Sequence, residues 1–269
     1  MFKKIDYLEK NLCYHEYGAG HPVVLIHGFA EDSGIWKDQV AFLQHKFRVL
    51  VPDMPGSGES TYNDRLVTIE DFAEAIKNML DKEKIGETVL IGHSMGGYIA
   101  LAFAEKYSQR LTGLGLFHST AYADSEEKKA ARRKSIGFIR EYGVPEFVKS
   151  TMPNLFSGEF NANQPETISK LVNKYSYFSP EALITYYEAM IMRPDRRKVL
   201  KELNKPILFI CGEEDKAVPF RDALEQAHIP DLSFIHILKN TAHMGLVENP
   251  DLTNHWLAGF IEASCNPTW

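Results

Sequence analysis

Cysteine is scarce in this sequence: Cys13, Cys211 and Cys265 are its only thiols, far apart and in no CxxC spacing. That scarcity excludes a disulfide framework and a thiolate zinc site, and the thiols are expected to be free. Positive charge is not in excess, because 30 Lys and Arg against 36 Asp and Glu leave a net charge of −6. Such a balance gives no electrostatic footprint for DNA, RNA or an anionic membrane surface, so neither nucleic acid nor membrane is expected as a partner. No run approaches the roughly 18 consecutive apolar residues of a membrane span, and the opening MFKKIDYLEKNL has a basic pair with no apolar stretch behind it. A soluble, cytoplasmic protein is the expectation. Gly/Ser linkers, Pro tracts and internal repeats are absent, as are GxGxxG, GxxxxGK[ST] and HExxH, so no nucleotide cofactor or metal is expected.

What remains is ordinary globular composition, 44% hydrophobic and 25% charged over 269 residues, enough to bury a real core. Short Val/Ile/Leu-rich runs begin at Pro22, Phe47, Glu87, Leu111, Lys205 and Leu232. Near-continuous apolar runs of this kind mark strands buried on both faces, hence a mostly parallel sheet. Between them, Ser33 to Gln44, Thr68 to Lys84, Met95 to Tyr107 and Phe220 to Ala227 have helical spacing. Thr68 with Asp71 makes a capping box, and Pro250 opens a last helix running towards Glu262. The alternation breaks over residues 121–200, which read as several helices punctuated by Gly143, Pro145, Pro153, Gly158, Pro165 and Pro180. Residues 1–120 and 201–269 therefore form an α/β core, and 121–200 an inserted helical cap. Within the insert, the mixed-sign run from Ser125 to Lys134 reads as a solvated helix face.

The chemistry-bearing signal is Gly92-His93-Ser94-Met95-Gly96, a GxSxG between an apolar strand and an apolar-periodic helix. On so tight a turn the neighbours two positions away have little room for a Cβ, and the hydroxyl stands above the sheet edge. A serine hydroxyl is a weak nucleophile at neutral pH and needs a base, which in turn needs an orienting acid. His243 and Asp215 each follow a strand at the carboxyl edge of the sheet, where open α/β sheets collect ligands. Glu213 and Glu214 compete with Asp215 as the acid, His93 reads as packing, and His118 is a candidate to line the pocket. The oxyanion formed on attack needs preorganised N–H donors. Met95, at the start of the helix, and Phe29, in the His27-Gly28-Phe29 loop, are assigned that role.

These segments, with Asp53 to Ser60, Gly212 to Asp215 and Ala242-His243, resemble the α/β-hydrolase superfamily in the chain order Ser, Asp, His. The resemblance covers nearly the whole chain and implies the α/β-hydrolase fold: a mostly parallel central sheet, helices on both faces and a helical cap insertion. It also implies that Asp53 serves turn chemistry rather than catalysis. Ser at position 94 departs from dehalogenases and epoxide hydrolases, whose relatives carry Asp there, and His27-Gly28-Phe29 departs from the HGGG of one esterase group.

The expected activity is a serine hydrolase of small carboxylic esters working through an acyl-enzyme, with a small-molecule ester or related acyl substrate and no cofactor. Alternatives on the same residues are C–C bond or thioester hydrolysis, cofactor-free peroxidase-like activity, or ligand binding by a protein that retains the triad. Phe138, Phe147, Phe156 and Tyr186 are candidates to shape the pocket.

Overall fold

The computed structural model describes residues 1–265, so the last four positions of the 201–269 segment lie outside the described residues. The strands are β1 (Phe2–Tyr7), β2 (Lys10–Tyr17), β3 (Pro22–Ile26), β4 (Arg48–Pro52), β5 (Thr88–His93), β6 (Leu111–Phe117), β7 (Ile207–Gly212) and β8 (Ser233–Leu238). They form one sheet in the order β1-β2-β4-β3-β5-β6-β7-β8. From β4 through β8 every pairing is parallel, whereas β1 pairs antiparallel with β2 and β2 with β4. Every residue of β5 and β7 is buried, and successive strand side chains point to opposite faces, so both faces of the sheet are covered.

Those covers are α1 (Lys37–Leu43), α2 (Ile69–Lys82), α3 (Met95–Tyr107), α9 (Phe220–Ala227), α10 (Gly245–Glu248) and α11 (Pro250–Cys265). The α2 boundary follows from chemistry visible in the sequence. Thr68 accepts the Asp71 N–H at 3.1 Å while Asp71 accepts the Thr68 N–H at 2.9 Å, which satisfies two first-turn donors. Three thiols are free, and burial pushes that of Cys211 up to about 12.

Between β6 and β7 lie α4 (Glu126–Thr151), α5 (Gly158–Asn163), α6 (Pro165–Tyr175), α7 (Pro180–Met192) and α8 (Arg197–Glu202). The punctuation read from the sequence falls at their ends or at a kink. Ser125 caps α4, Pro165 and Pro180 open α6 and α7, and α4 kinks at Gly143, whose φ of 82° suits a residue without a Cβ. The first two strands are an addition to the expected set. No helix among the described residues is long and apolar enough to cross a membrane.

Candidate active site

The junction of β5 and α3 holds Ser94 at φ 50°, ψ −113°, a conformation costly for any residue with a Cβ. It persists because the surroundings fix it from several sides. Ser94 donates its N–H to the Phe117 carbonyl at 2.9 Å, and its own carbonyl accepts from Gly97 N–H at 3.0 Å and Ser119 Oγ at 2.7 Å. A Cβ on Gly92 would lie 2.1 Å from the Gly96 carbonyl, and one on Gly96 would lie 2.3 Å from the Ile26 oxygen. The two glycines of the GxSxG are therefore demanded by the close approach of α3 to β5 and β3.

Asp215 leaves the end of β7 and His243 follows β8, and the structure brings them together: Asp215 Oδ2 accepts from His243 Nδ1 at 2.8 Å. The other carboxylate oxygen accepts the N–H groups of Ala217 and Val218 at 2.8 and 2.9 Å. Burial alone would raise this carboxyl, but the charge of His243 and hydrogen bonds from His118 and His243 hold it far below the usual carboxylate range. Glu213 and Glu214, the alternative acids, are exposed.

His118 does not line the cavity. It is buried, and its Nδ1 lies 3.0 Å from the same Asp215 Oδ2, so it donates to that carboxylate from within the core. Burial lowers its pKa to about 4, which keeps the ring neutral. Its position at the end of β6 was readable; its partner was not. His118, Asp215 and His243 also bring donor atoms close enough to hold a metal ion. Both imidazole Nδ1–H groups are already given to Asp215, however, and an ion there would displace both hydrogen bonds and force each ring to carry its proton on Nε2.

In the loop that carries Phe29, Gly28 donates its N–H to Glu31 Oε2 at 2.6 Å, and the same oxygen accepts from His93 Nδ1 at 3.0 Å. His93 Nε2 reaches the His243 carbonyl at 3.0 Å. His93 is thus more than packing, since it ties the loop before α1 to the backbone of His243. The Phe29 ring is packed 4.2 Å, centroid to centroid, against Tyr187 of α7, which steadies that loop from above. Met95 is the first residue of α3, where helix N–H groups lack intrahelical acceptors. Asp53 performs turn chemistry as expected, accepting the N–H groups of Ser33 at 2.7 Å and Glu59 at 2.9 Å.

Ser94 and His243 open onto one cavity of about 300 Å³, whose other walls include Phe29, Tyr98, Leu155, Tyr187 and Met190. The four aromatics proposed from sequence to shape this space are not among its walls. Tyr186 is fully buried with its hydroxyl on the Pro55 carbonyl at 3.0 Å, Phe147 meets Phe29 edge-on, Phe156 stacks on Phe160, and Phe138 lies against Tyr142. The solvated-face reading of the charged run holds for most of its residues, which are exposed, but not for Lys128 and Arg132, which line the cavity. The signal was present: positions 128 and 132 continue into buried Ile136 and Ile139, the inner stripe of α4.

Comparison with known proteins agrees with this architecture. Residues 21–123 match the family model for the alpha/beta hydrolase fold. A thermophilic esterase from Thermogutta terrifontis, solved with malate bound, superposes with a TM-score of 0.92 at 31% identity, covering 99% of this chain and 100% of that one. A pimeloyl-[acyl-carrier protein] methyl ester esterase from Legionella pneumophila is 27% identical over 94% of this chain and 100% of its own length. The 3-oxoadipate enol-lactonase 1 of Acinetobacter baylyi is 25% identical over 90% and 88%. The chain belongs to the α/β-hydrolase superfamily and is an enzyme of the hydrolase class.

Proposed function

We propose that the chain is a serine hydrolase of small carboxylic esters, with Ser94 as nucleophile, His243 as general base and Asp215 as the acid that orients it. The observation that carries this reading is the 2.8 Å bond from His243 Nδ1 to Asp215, in a site whose wall also holds the strained Ser94. With Nδ1–H committed to Asp215, Nε2 is the ring nitrogen left to accept the Ser94 hydroxyl proton. Ser94 Oγ then bonds to the ester carbonyl carbon, and the carbonyl electron pair moves to oxygen. The Phe29 and Met95 N–H groups hold that oxyanion. Collapse expels the alcohol, which takes the proton from His243, and leaves an acyl-serine. Water attacks the acyl-serine with His243 again as base, releasing the acid and restoring the hydroxyl.

In this reading residues 121–200 act as a cap over the core. Their contributions Leu155, Tyr187 and Met190 give the cavity apolar walls, and about 300 Å³ suits a small ester. The relatives named esterase and enol-lactonase support hydrolysis of an ester-type bond.

Initial rates on a chromogenic ester series from two-carbon to twelve-carbon acyl chains, for wild type and Ser94→Ala, test the proposal. Wild-type turnover that falls by about three orders of magnitude in the variant is expected. Equal turnover by the two proteins overturns Ser94 as nucleophile.

A further inference from the structure

The charge in the cavity wall runs against the charge of the chain. The protein as a whole carries −6, yet Lys128, Arg132 and Lys216 all line the space in front of Ser94. One carboxylate, Glu31, also reaches that wall, but its Oε2 is already engaged by Gly28 N–H and His93. The excess at the cavity is therefore positive.

Lys128 and Arg132 sit one turn apart on α4 and are held by a buried acid. Asp124 Oδ2 accepts from Arg132 Nε at 2.6 Å, Asp124 Oδ1 accepts from Arg193 Nη2 at 2.9 Å, and Lys128 Nζ lies 3.9 Å from the same Oδ1. Lys128 Nζ also donates to the Ala217 carbonyl at 2.8 Å, two residues past Asp215. One carboxylate thus faces three cations, two of them largely shielded from water: the side chains of Arg132 and Arg193 are 13% and 2% exposed, that of Lys128 31%. Arg193 is occupied in other ways, lying 3.8 Å over the Tyr98 ring and donating to the Met190 and Tyr122 carbonyls. Arg132 gives two of an arginine's five donors to Asp124 and lies against the cavity.

The same charges act on the Tyr98 hydroxyl. Burial by itself would raise its pKa, but the positive charges of Arg193, Lys128 and Arg132 bring it below the ordinary tyrosine value. Buried cations in excess of their counter-charge are costly unless a ligand supplies the missing anion. Because Arg132 is recessed in the cavity, that anion belongs to a small molecule rather than to an acidic protein surface.

We infer that Lys128 and Arg132 form an anion-reading subsite, and that the ester cleaved at Ser94 carries a carboxylate on its acyl or its alcohol part. The inference deepens the proposed ester hydrolysis and rests on it for the position of the scissile bond. Asp124 is the positioning residue, fixing the guanidinium from behind so that its remaining donors are presented without loss of side-chain freedom on binding.

Two matched ester pairs test this. Monomethyl glutarate and methyl pentanoate place the charge on the acyl side, while O-butanoylglycolate and ethyl butanoate place it on the alcohol side. Wild type is expected to favour the anionic member of one pair by at least about tenfold in kcat/KM, the scale of a charge-assisted hydrogen bond. That ratio should shrink towards one in Lys128→Met and in Arg132→Met, and in wild type as salt is raised. A general loss of structure lowers both members of a pair and leaves their ratio alone. Calorimetric binding of glutarate to Ser94→Ala, compared with Ser94→Ala/Lys128→Met, reads the subsite without turnover and without depending on the Arg132 variant folding. No anionic preference in either pair, or a preference that survives both substitutions, overturns the subsite while leaving ester hydrolysis in place. Glutarate binding that needs Lys128, in a protein that turns over none of the esters, upholds the subsite and overturns the ester reading.

Discussion

His118 and Asp215 are joined by a hydrogen bond of 3.0 Å, and the carboxylate oxygen that accepts it also accepts from His243 at 2.8 Å. Two imidazole N–H groups donating to one oxygen stabilise the ionised carboxylate in a site that burial would otherwise make hostile to charge. His118 is itself confined, with its N–H on the Ile210 carbonyl at 2.8 Å and its Nε2 buried without a partner among the described residues.

A dependence of stability on pH follows. His118 has its pKa lowered to about 4 by burial, against about 6.5 for an unfolded histidine. Between those values the unfolded chain binds a proton that the folded chain does not, so stability is full above the unfolded value and falls as pH falls through the window. From pH 6.5 to pH 5 the loss from this group is about 1.5 kcal/mol. Asn at 118 supplies an amide donor for Asp215 without a titrating ring. Denaturant midpoints for wild type and His118→Asn at the two pH values should show the wild type losing more. Equal losses would mean that the ring is protonated in the folded protein.

The pair formed by His93 and Glu31 has the opposite sign. His93 faces acceptors at both ring nitrogens, the Glu31 carboxylate and the His243 carbonyl, each at 3.0 Å, so the geometry calls for two N–H groups and a cationic ring. Burial works against this, but the charge and hydrogen bond of Glu31 raise the pKa above its usual value. Its stabilisation is present below the ordinary histidine value and is lost as pH rises through the folded value, a window separate from that of His118. Glu31→Gln leaves a buried cation without its counter-charge and should cost about 3 kcal/mol. It also loosens Gly28 and the His243 backbone, so kcat should fall more than KM rises. Denaturation and steady-state kinetics on the one variant check both; full stability with unchanged kcat would remove Glu31 from this role.

Much of this site was legible in the sequence, and the parts that were not have physical reasons. The β5 and β7 runs, the GxSxG and the Thr68 and Asp71 box are local patterns whose structural meaning needs no distant partner. The strand Phe2–Tyr7 escaped because it is an edge strand with only every second residue partly covered, including Ile5 and Tyr7, and so presents no apolar run. His118 escaped because its φ of 48° redirects the chain at the end of β6, and its partner lies 97 residues away. Lys128 and Arg132 were missed because a charged run was read as one face, although their spacing with Ile136 and Ile139 sets them on the inner stripe of α4.

The glycines at the β5 and α3 junction give a contrast that geometry alone decides. A methyl group at 92 would meet Gly96 C and O at 2.1 Å and Gly97 N at 2.3 Å, all backbone atoms that cannot turn aside. Gly92→Ala should therefore cost more than about 3 kcal/mol or prevent folding. Gly137, on the exposed side of α4, has nothing within 4 Å of the place that a Cβ would take. There Gly137→Ala should stabilise by about 0.5–1 kcal/mol through helix propensity. Thermal melts of the two variants should move in opposite directions, and a tolerated Gly92→Ala would mean that α3 can back away from the strand.

Ser94 stores strain that its own replacement can release. At φ 50°, ψ −113° a side chain is disfavoured and glycine is not, so the turn that presents the hydroxyl is held at the expense of stability. Ser94→Ala removes the hydroxyl and keeps the Cβ, whereas Ser94→Gly removes both. The difference between the two variants isolates the backbone term, because neither retains the proposed nucleophile and the hydrogen bonds at Ser94 N and O are main-chain on the serine side. Ser94→Gly should exceed Ser94→Ala in stability by about 1 kcal/mol, a rise of a few degrees in Tm, while both lose turnover to the same extent. If Ser94→Gly melts below Ser94→Ala, the entropy glycine gains in the unfolded chain outweighs the strain, and the elbow is less costly than its dihedral angles imply.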